Sequence, residues 1–204
     1  MQQAELFGAA PKPRPVEIPG FVIREDYVDA REESELLANV NDGPWETDWR
    51  RRIQQYGLGY AGQHGGTPVW VHDFPEWLMP LARRVGLDAH MERLRENCVI
   101  NEYIPPQGIA PHKDYGSFGP TIACVSLGSD IVMDFKHPAR NLRVPVFLPV
   151  RSLWVISGPA RTEWEHGIAP RLNDVINGER RRRARRVSIT FRTARDPRLI
   201  PPRF

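Results

Sequence analysis

Residues 98–103 read CVINEY, and six later runs share their character: TIACVSL (121–127), DIVMDF (130–135), VPVFLPV (144–150), SLWVISG (152–158), TEWEHGI (162–168) and RVSITFR (186–192). Each is short, apolar or β-branched, and bounded by turn residues, the pattern of strands joined by tight connections. Closely spaced strands of this kind bury their apolar faces against a second sheet, as a sandwich or jelly roll. No internal repeat is visible.

Upstream the period changes. DAREESELLANVND (29–42) opens on an N-cap candidate, Asp29, and carries Leu36, Leu37 and Val40 on one side. FPEWLMPLARRVGL (74–87) puts Leu78, Leu81 and Val85 on one face, with Gly86 near its end; Pro80 is predicted to kink or split this helix. Between them, WETDWRRRIQQYGLGYAGQHGGTPVW (45–70) lacks a helical stripe and reads as hairpins or loops flanking a site. Residues 1–19, including AAPKPRP, read as a flexible arm. The class is α+β: a jelly-roll core with N-terminal helices packed on one sheet.

The 204 residues suffice for one domain with a real core, and 41% apolar with 26% charged residues is a globular composition. Twenty prolines argue against an all-helical fold. No apolar run approaches the roughly 20 residues of a membrane span and no secretory leader opens the chain, so the expectation is an intracellular, cytoplasmic protein with no membrane partner. Cys98 and Cys124 lie in strand-like runs and read as buried thiols, not as a disulfide framework or zinc site. Net charge is only +3, but ERRRRARR (179–186) concentrates cations. An isolated basic run is ordinarily a solvated loop; it becomes a phosphate contact only where a nucleic-acid site is argued independently.

The chemistry gathers around PPQGIAPHKDYG (105–116), where His112 and Asp114, two apart, share a face if the segment is extended. TEWEHGI adds His166, read as sharing a strand face with Trp164 and Thr162. Two histidines and a carboxylate form the facial triad of non-haem Fe(II) oxygenases; zinc normally takes a fourth protein ligand or a bound water. An H-x-D alone arises often by chance. In RVSITFR, however, Arg186, Ser188, Thr190 and Arg192 share one face, opposite Val187, Ile189 and Phe191. Two arginines inside a sandwich need anions, which a dicarboxylate cosubstrate supplies; otherwise that face looks at solvent. Val99, Asn101 and Tyr103 alternate in the same way, offering an amide and a phenol.

Taken together, NEYIPPQGIAPHKD, SLGSDIVMDF, LPVRSLWVISG, WEHGI and RVSITFR, in this order between Cys98 and Arg195, resemble the AlkB family of Fe(II)/2-oxoglutarate-dependent dioxygenases. RRIQQYG (51–57) resembles that family's nucleotide-recognition lid more loosely. The resemblance implies a double-stranded β-helix core within one domain over residues 20–204, with helices and lid in 20–97 and the catalytic core in 98–204. It implies Fe(II), 2-oxoglutarate and O2 as cofactors, with His112, Asp114 and His166 as iron ligands. It places Arg192 on the distal carboxylate of 2-oxoglutarate, Arg186 near the other, and Asn101 and Tyr103 on the cosubstrate. Ser188 stands where the family often has Asn, weakening one contact.

The implied reaction converts 2-oxoglutarate to succinate and CO2 while a substrate C–H bond is hydroxylated; an oxidised N-methyl group then leaves as formaldehyde. AlkB relatives act mainly on alkylated nucleobases that are flipped out and stacked. The stacking candidates are Tyr56 first, then Tyr60, Trp49 and Trp70, with His112 as an opposing wall. Arg51, Arg52 and the Arg180–Arg185 loop are candidate phosphate contacts. The chain departs from DNA-repairing members after the H-x-D, where YGSFG (115–119) carries no carboxylate. That continuation is similar to the branch that hydroxylates wobble uridines in tRNA. QAELF, from Gln3 to Phe7, resembles a sliding-clamp docking peptide. The resulting order is nucleobase demethylation, then tRNA-base hydroxylation, then hydroxylation of a protein or small molecule. A non-catalytic nucleic-acid-binding module is the reading from another class. A monomer is expected.

Overall fold

The computed structural model describes residues 16–59, 69–91, 93 and 96–199. Tyr60 and the Gln3–Phe7 segment lie outside them. The elements run β1 (Phe21–Arg24), α1 (Ala30–Asn41), β2 (Ile53–Gly59), β3 (Val69–His72), α2 (Met79–Asp88), β4 (Asn97–Tyr103), β5 (Ile109–His112), β6 (Phe118–Leu127), β7 (Ile131–His137), β8 (Leu142–Leu148), β9 (Leu153–Ile156), α3 (Gly158–Thr162), β10 (Glu165–Ile168), β11 (Asn173–Ile176), β12 (Glu179–Arg182) and β13 (Arg186–Ala194). A seven-stranded sheet has the order β1-β9-β6-β13-β4-β2-β3, a four-stranded sheet the order β5-β10-β7-β8, and β11–β12 form a separate hairpin.

Two apolar layers hold these sheets. Leu36 and Val40 of α1, with Leu81 and Val85 of α2, pack on Tyr56, Cys98, Ile100, Val125 and Ile189 of the large sheet. The other layer, including Ile122, Cys124, Met133, Phe135, Trp154 and Ile168, lies between the two sheets. Each such aliphatic side chain contributes about 1.5–3 kcal/mol on burial. The result is the expected jelly roll with helices on one sheet. Asp29 caps α1 as read, its side chain accepting the Glu32 N–H at 2.8 Å, a contact worth about 1 kcal/mol.

Several local expectations are refined or corrected. The segment expected to be kinked or split by Pro80 is split, one of those two outcomes. Glu76–Leu78 forms a 3-10 turn and Pro80 sits in the first turn of α2, where its missing N–H costs no hydrogen bond. The arm does not extend to residue 19: Ile18 is buried between the sheets and the Pro19 carbonyl accepts the Ala160 N–H. Within 45–70, read as hairpins or loops, strand pairing forms: β2 pairs antiparallel with β3, Leu58 opposite Trp70, and with β4, Ile53 opposite Asn101. Thr162 shares no strand with His166, since it ends α3 and β10 starts only at Glu165. Residues 179–182 of the basic run form a hairpin strand, and its Asn177–Gly178 turn has φ of 52° and 85°, as a two-residue type I′ connection requires.

Candidate active site

β10 lies between β5 and β7, and its register sets His166 opposite His112. Their ring centroids are 4.6 Å apart. Asp114 follows two residues after the end of β5, and one ligand atom from each of His112, Asp114 and His166 lies within 4.8 Å of the others. His112 places Nδ1 2.9 Å from the Ala110 carbonyl, which leaves Nε2 as the outward donor atom. Asp114 and His166 are both buried. Among the described residues, Asp114 Oδ2 and His166 Nδ1 have no hydrogen-bond partner. His166 Nε2 stands 3.5 Å from Asp114 Oδ2, and an orphaned carboxylate oxygen in a buried cluster of two imidazoles and a carboxylate fits a divalent cation, which would satisfy it.

The charge states also suit a metal. Burial pulls the His166 pKa down to about 4, against the opposing pull of Asp114, so the imidazole is neutral at neutral pH. Burial alone would raise the Asp114 carboxyl, but Arg192, His166 and His112 outweigh it and hold the group well below the usual carboxylate range. Arg161 of α3 donates to the main-chain carbonyls of Asp114 at 3.0 Å and Tyr115 at 2.8 Å. A buried guanidinium thus ties the metal-loop backbone to the helix that leads into His166.

This triad borders a cavity of ≈ 410 Å³, a size ordinary for a small-molecule site. The pleat of β4 and β13 aims their polar faces into it: Asn101 and Tyr103 from one strand, Arg186, Ser188 and Arg192 from the other. Arg186 is 1% exposed; it donates to Ser126 Oγ at 2.7 Å, and its guanidinium lies 5.4 Å from the Tyr103 ring centre. Arg192 donates through Nε to Asp114 Oδ1 at 2.8 Å and through Nη1 to Asn97 Oδ1 at 3.2 Å. Arg192 is captured by the carboxylate of the triad, whereas Arg186 starts β13 six residues away, about 20 Å along an extended strand.

The cavity also collects Trp49 and Arg51 as read, and Gln55, Lys113, Tyr115, Phe118 and Trp154, which were not. Arg51 faces inward, donating to Asn101 Oδ1 at 2.9 Å, and does not stand ready for a backbone phosphate. Tyr56 is corrected outright. On β2 it has the parity opposite to Ile53 and Gln55, so it enters the helix-side core, where its hydroxyl donates to Gln54 Oε1 at 2.9 Å. Arg52 also turns away, paired with buried Glu102 and stacked 4.3 Å over Trp45. Trp70 sits on edge strand β3 with Nε1 2.9 Å from Asp73 Oδ1, outside the cavity lining. Arg183 and Arg185 of the basic run are held by Asp174 and Glu102.

The 2OG-Fe(II) oxygenase superfamily model matches residues 24–192. The chain is 36% identical over 181 residues to uncharacterized protein L905 of Acanthamoeba polyphaga mimivirus, covering 85% of this chain and 84% of that protein. It is 34% identical over 207 residues to the tRNA (carboxymethyluridine(34)-5-O)-methyltransferase alkbh8 of Xenopus tropicalis. That match covers 87% of this chain but 32% of the relative, so the chain spans about a third of that protein's length. Among solved structures, OsALKBH1 matches with a TM-score of 0.63 over 86% of this chain and 98% of that one. At 14% identity this likeness concerns the fold alone.

Proposed function

The chain belongs to the 2OG-Fe(II) oxygenase superfamily as an AlkB-like member, and from that premise we propose that it oxidises an alkyl group on a nucleobase within DNA or RNA. When bound, Fe(II) with 2-oxoglutarate and O2 supplies the oxidising chemistry, one oxygen atom passing to succinate and the other to a substrate C–H bond as CO2 leaves. His112, Asp114 and His166 would hold the metal, a donor set of two imidazoles and one carboxylate that suits Fe(II). Arg186, the buried guanidinium away from Asp114, takes the distal carboxylate, with Tyr103 and Ser188 beside it. Asn101 and Arg192 border the rest of the cosubstrate, and Arg192 keeps Asp114 ionised and oriented.

For the substrate, Trp49 and Tyr115 replace Tyr56 as stacking surfaces. Both line the cavity, and Tyr115 is 56% exposed, at the cavity's edge. An extruded base between such rings presents its edge to the metal. Where the oxidised carbon is borne on nitrogen, the N–CH2OH product collapses to formaldehyde and the unmodified base. The observation carrying this reading is the convergence of His112, Asp114 and His166 on a cavity that Arg186 and Arg192 also line. The experiment is succinate formation with Fe(II), 2-oxoglutarate and a panel of methylated DNA and RNA oligonucleotides, read by mass spectrometry. Succinate formation that no oligonucleotide stimulates, with every base unchanged, would remove the nucleic-acid assignment.

A second reading has its own support. Tyr115 stands directly after the metal-binding aspartate, with no carboxylate between it and Gly119, and the similar alkbh8 protein is named for tRNA. On this reading the oxidised carbon is attached to carbon, and the hydroxyl group stays. Retained oxygen, rather than a lost methyl, distinguishes the two products.

A further inference from the structure

Residues 171–186 contain seven arginines against two carboxylates, a larger positive balance than the +3 of the whole chain. The cavity uses only Arg186. The rest surround the β11–β12 hairpin, whose register sets Asn173 opposite Arg182, Asp174 opposite Arg181 and Val175 opposite Arg180. Strand alternation divides it into two faces. The inner face is built as an anchor. Asp174 is buried and accepts Arg183 Nε at 2.8 Å, Arg183 Nη2 at 2.9 Å, Arg171 Nε at 2.8 Å and the Val132 N–H at 3.2 Å. Arg183 is itself buried and donates to the Ala169 carbonyl at 2.7 Å. Asp174 thereby fixes the hairpin to β7.

The outer face has no such partners. It carries Val175, 66% exposed and opposite Arg180, beside Arg180 and Arg182, whose exposed side chains form no hydrogen bond or ion pair among the described residues. Their inner-face neighbour Arg181, by contrast, reaches Asp130 and Glu179. Two like charges about 6.6 Å apart on one strand face repel, and nothing in the fold requires them. An anionic partner removes that cost. The hairpin also stands between two cavity walls, leaving β10 after His166 and entering β13 at Arg186. Its anchor point Val132 lies three residues along β7 from Phe135, which pairs with His166. That places the hairpin base roughly 10 Å from the triad, within a few nucleotides of a base in the cavity.

We propose that β11–β12 is a docking ridge for the sugar-phosphate backbone of the nucleic acid whose base enters the cavity, with Arg180 and Arg182 as its phosphate contacts. This rests on the nucleic-acid reading above. It makes the substrate a polymer recognised at two points, not a free nucleoside or nucleotide.

The test is fluorescence anisotropy of the full chain with labelled 20-nucleotide DNA and RNA, single- and double-stranded, across a salt series. Arg180→Gln/Arg182→Gln leaves the buried anchor intact. It is expected to weaken binding on the order of tenfold and to flatten the log–log salt slope by about 1.4–1.8, the share of two phosphate contacts. Melting temperature and succinate formation without nucleic acid should stay unchanged. If the wild-type chain binds and oxidises an oligonucleotide while the double variant keeps its affinity and slope, the ridge is overturned and the proposed function stands. If the wild-type chain forms succinate but binds none of the four nucleic acids, both fall together. Loss of binding only to phosphatidylserine vesicles, with the nucleic-acid slope untouched, would assign the ridge to a membrane surface and overturn the proposal.

Discussion

Arg192 donates to Asp114 Oδ1 at 2.8 Å, so the last arginine of the β13 face sits on the carboxylate of the triad and not at the far end of the cavity. Arg186 occupies that far end beside Tyr103 and Ser126, with a buried Nε that has no partner. Their substitutions should separate. Arg186→Ala should raise the 2-oxoglutarate concentration for half-maximal succinate formation by ~10- to 100-fold, the worth of hydrogen bonds to a charged group. Its Mn(II) affinity should stay unchanged. Arg192→Ala should instead weaken Mn(II) binding about tenfold by freeing Asp114 from its orienting fork. Calorimetry with Mn(II) and a succinate assay check the pair; equal effects of both on cosubstrate alone would restore the original division.

Arg161 acts on the same aspartate through its backbone. Arg161→Met would leave the Asp114 and Tyr115 carbonyls without this guanidinium, and the loop bearing Asp114 just after β5 should loosen. Mn(II) affinity is expected to fall roughly 10- to 100-fold, and Arg161→Lys should recover part of it by donating to one carbonyl. A lowered melting temperature with unchanged Mn(II) affinity would mean that Arg161 supports the fold and not the metal loop.

Tyr56 and Trp49 lie seven residues apart and should behave oppositely. Tyr56→Phe deletes only a buried hydroxyl donating to Gln54, so it should cost about 1 kcal/mol of stability and leave turnover intact. Trp49→Ala should depress nucleic-acid oxidation while 2-oxoglutarate decay without substrate survives. Denaturant unfolding and parallel succinate and base-product assays distinguish them. Loss of base oxidation in Tyr56→Phe at unchanged stability would return Tyr56 to the site.

The contrast marks where sequence reading stops. RVSITFR was legible because one face of β13 is apolar against the helices and the other polar in the cavity, so alternation survives in the letters. β2 is buried along its whole length, covered on both faces, and shows no such contrast; in IQQYGLG the letters therefore do not separate hairpin from loop. Alternation also assigns a side chain to a face without saying which end of the cavity it serves, so the letters alone do not tell Arg186 from Arg192. Pro80 was legible as a break, but a breaker rule is local and does not say that the residues before it form a 3-10 turn. Arg161 gave no signal at all: its partners lie 46 and 47 positions away, on a loop that only the packing of α3 brings near.

Glu102 supplies a pH test away from the metal. Its buried carboxylate accepts Arg52 Nη2 at 2.8 Å and Arg185 Nε at 2.5 Å, pinning the residues just before β2 and β13. Burial would raise this carboxyl, but the two guanidinium groups outweigh burial and lower it below its ordinary value. A depressed folded-state pKa means that the contribution is fully present above the unfolded value of about 4.3. It is lost as pH falls through the folded value. Glu102→Gln should therefore be less stable than the wild type at pH 7, by about 2 kcal/mol for lost charged hydrogen bonds. The gap should begin to close as pH drops below about 4, because protonation then does to the wild type what the substitution did permanently. Urea unfolding midpoints of both proteins from pH 7 down to about pH 3 measure that gap. A difference that stays constant over this range would mean that Glu102 contributes by shape and hydrogen bonding, and that its charge does not fasten β2 and β13 together.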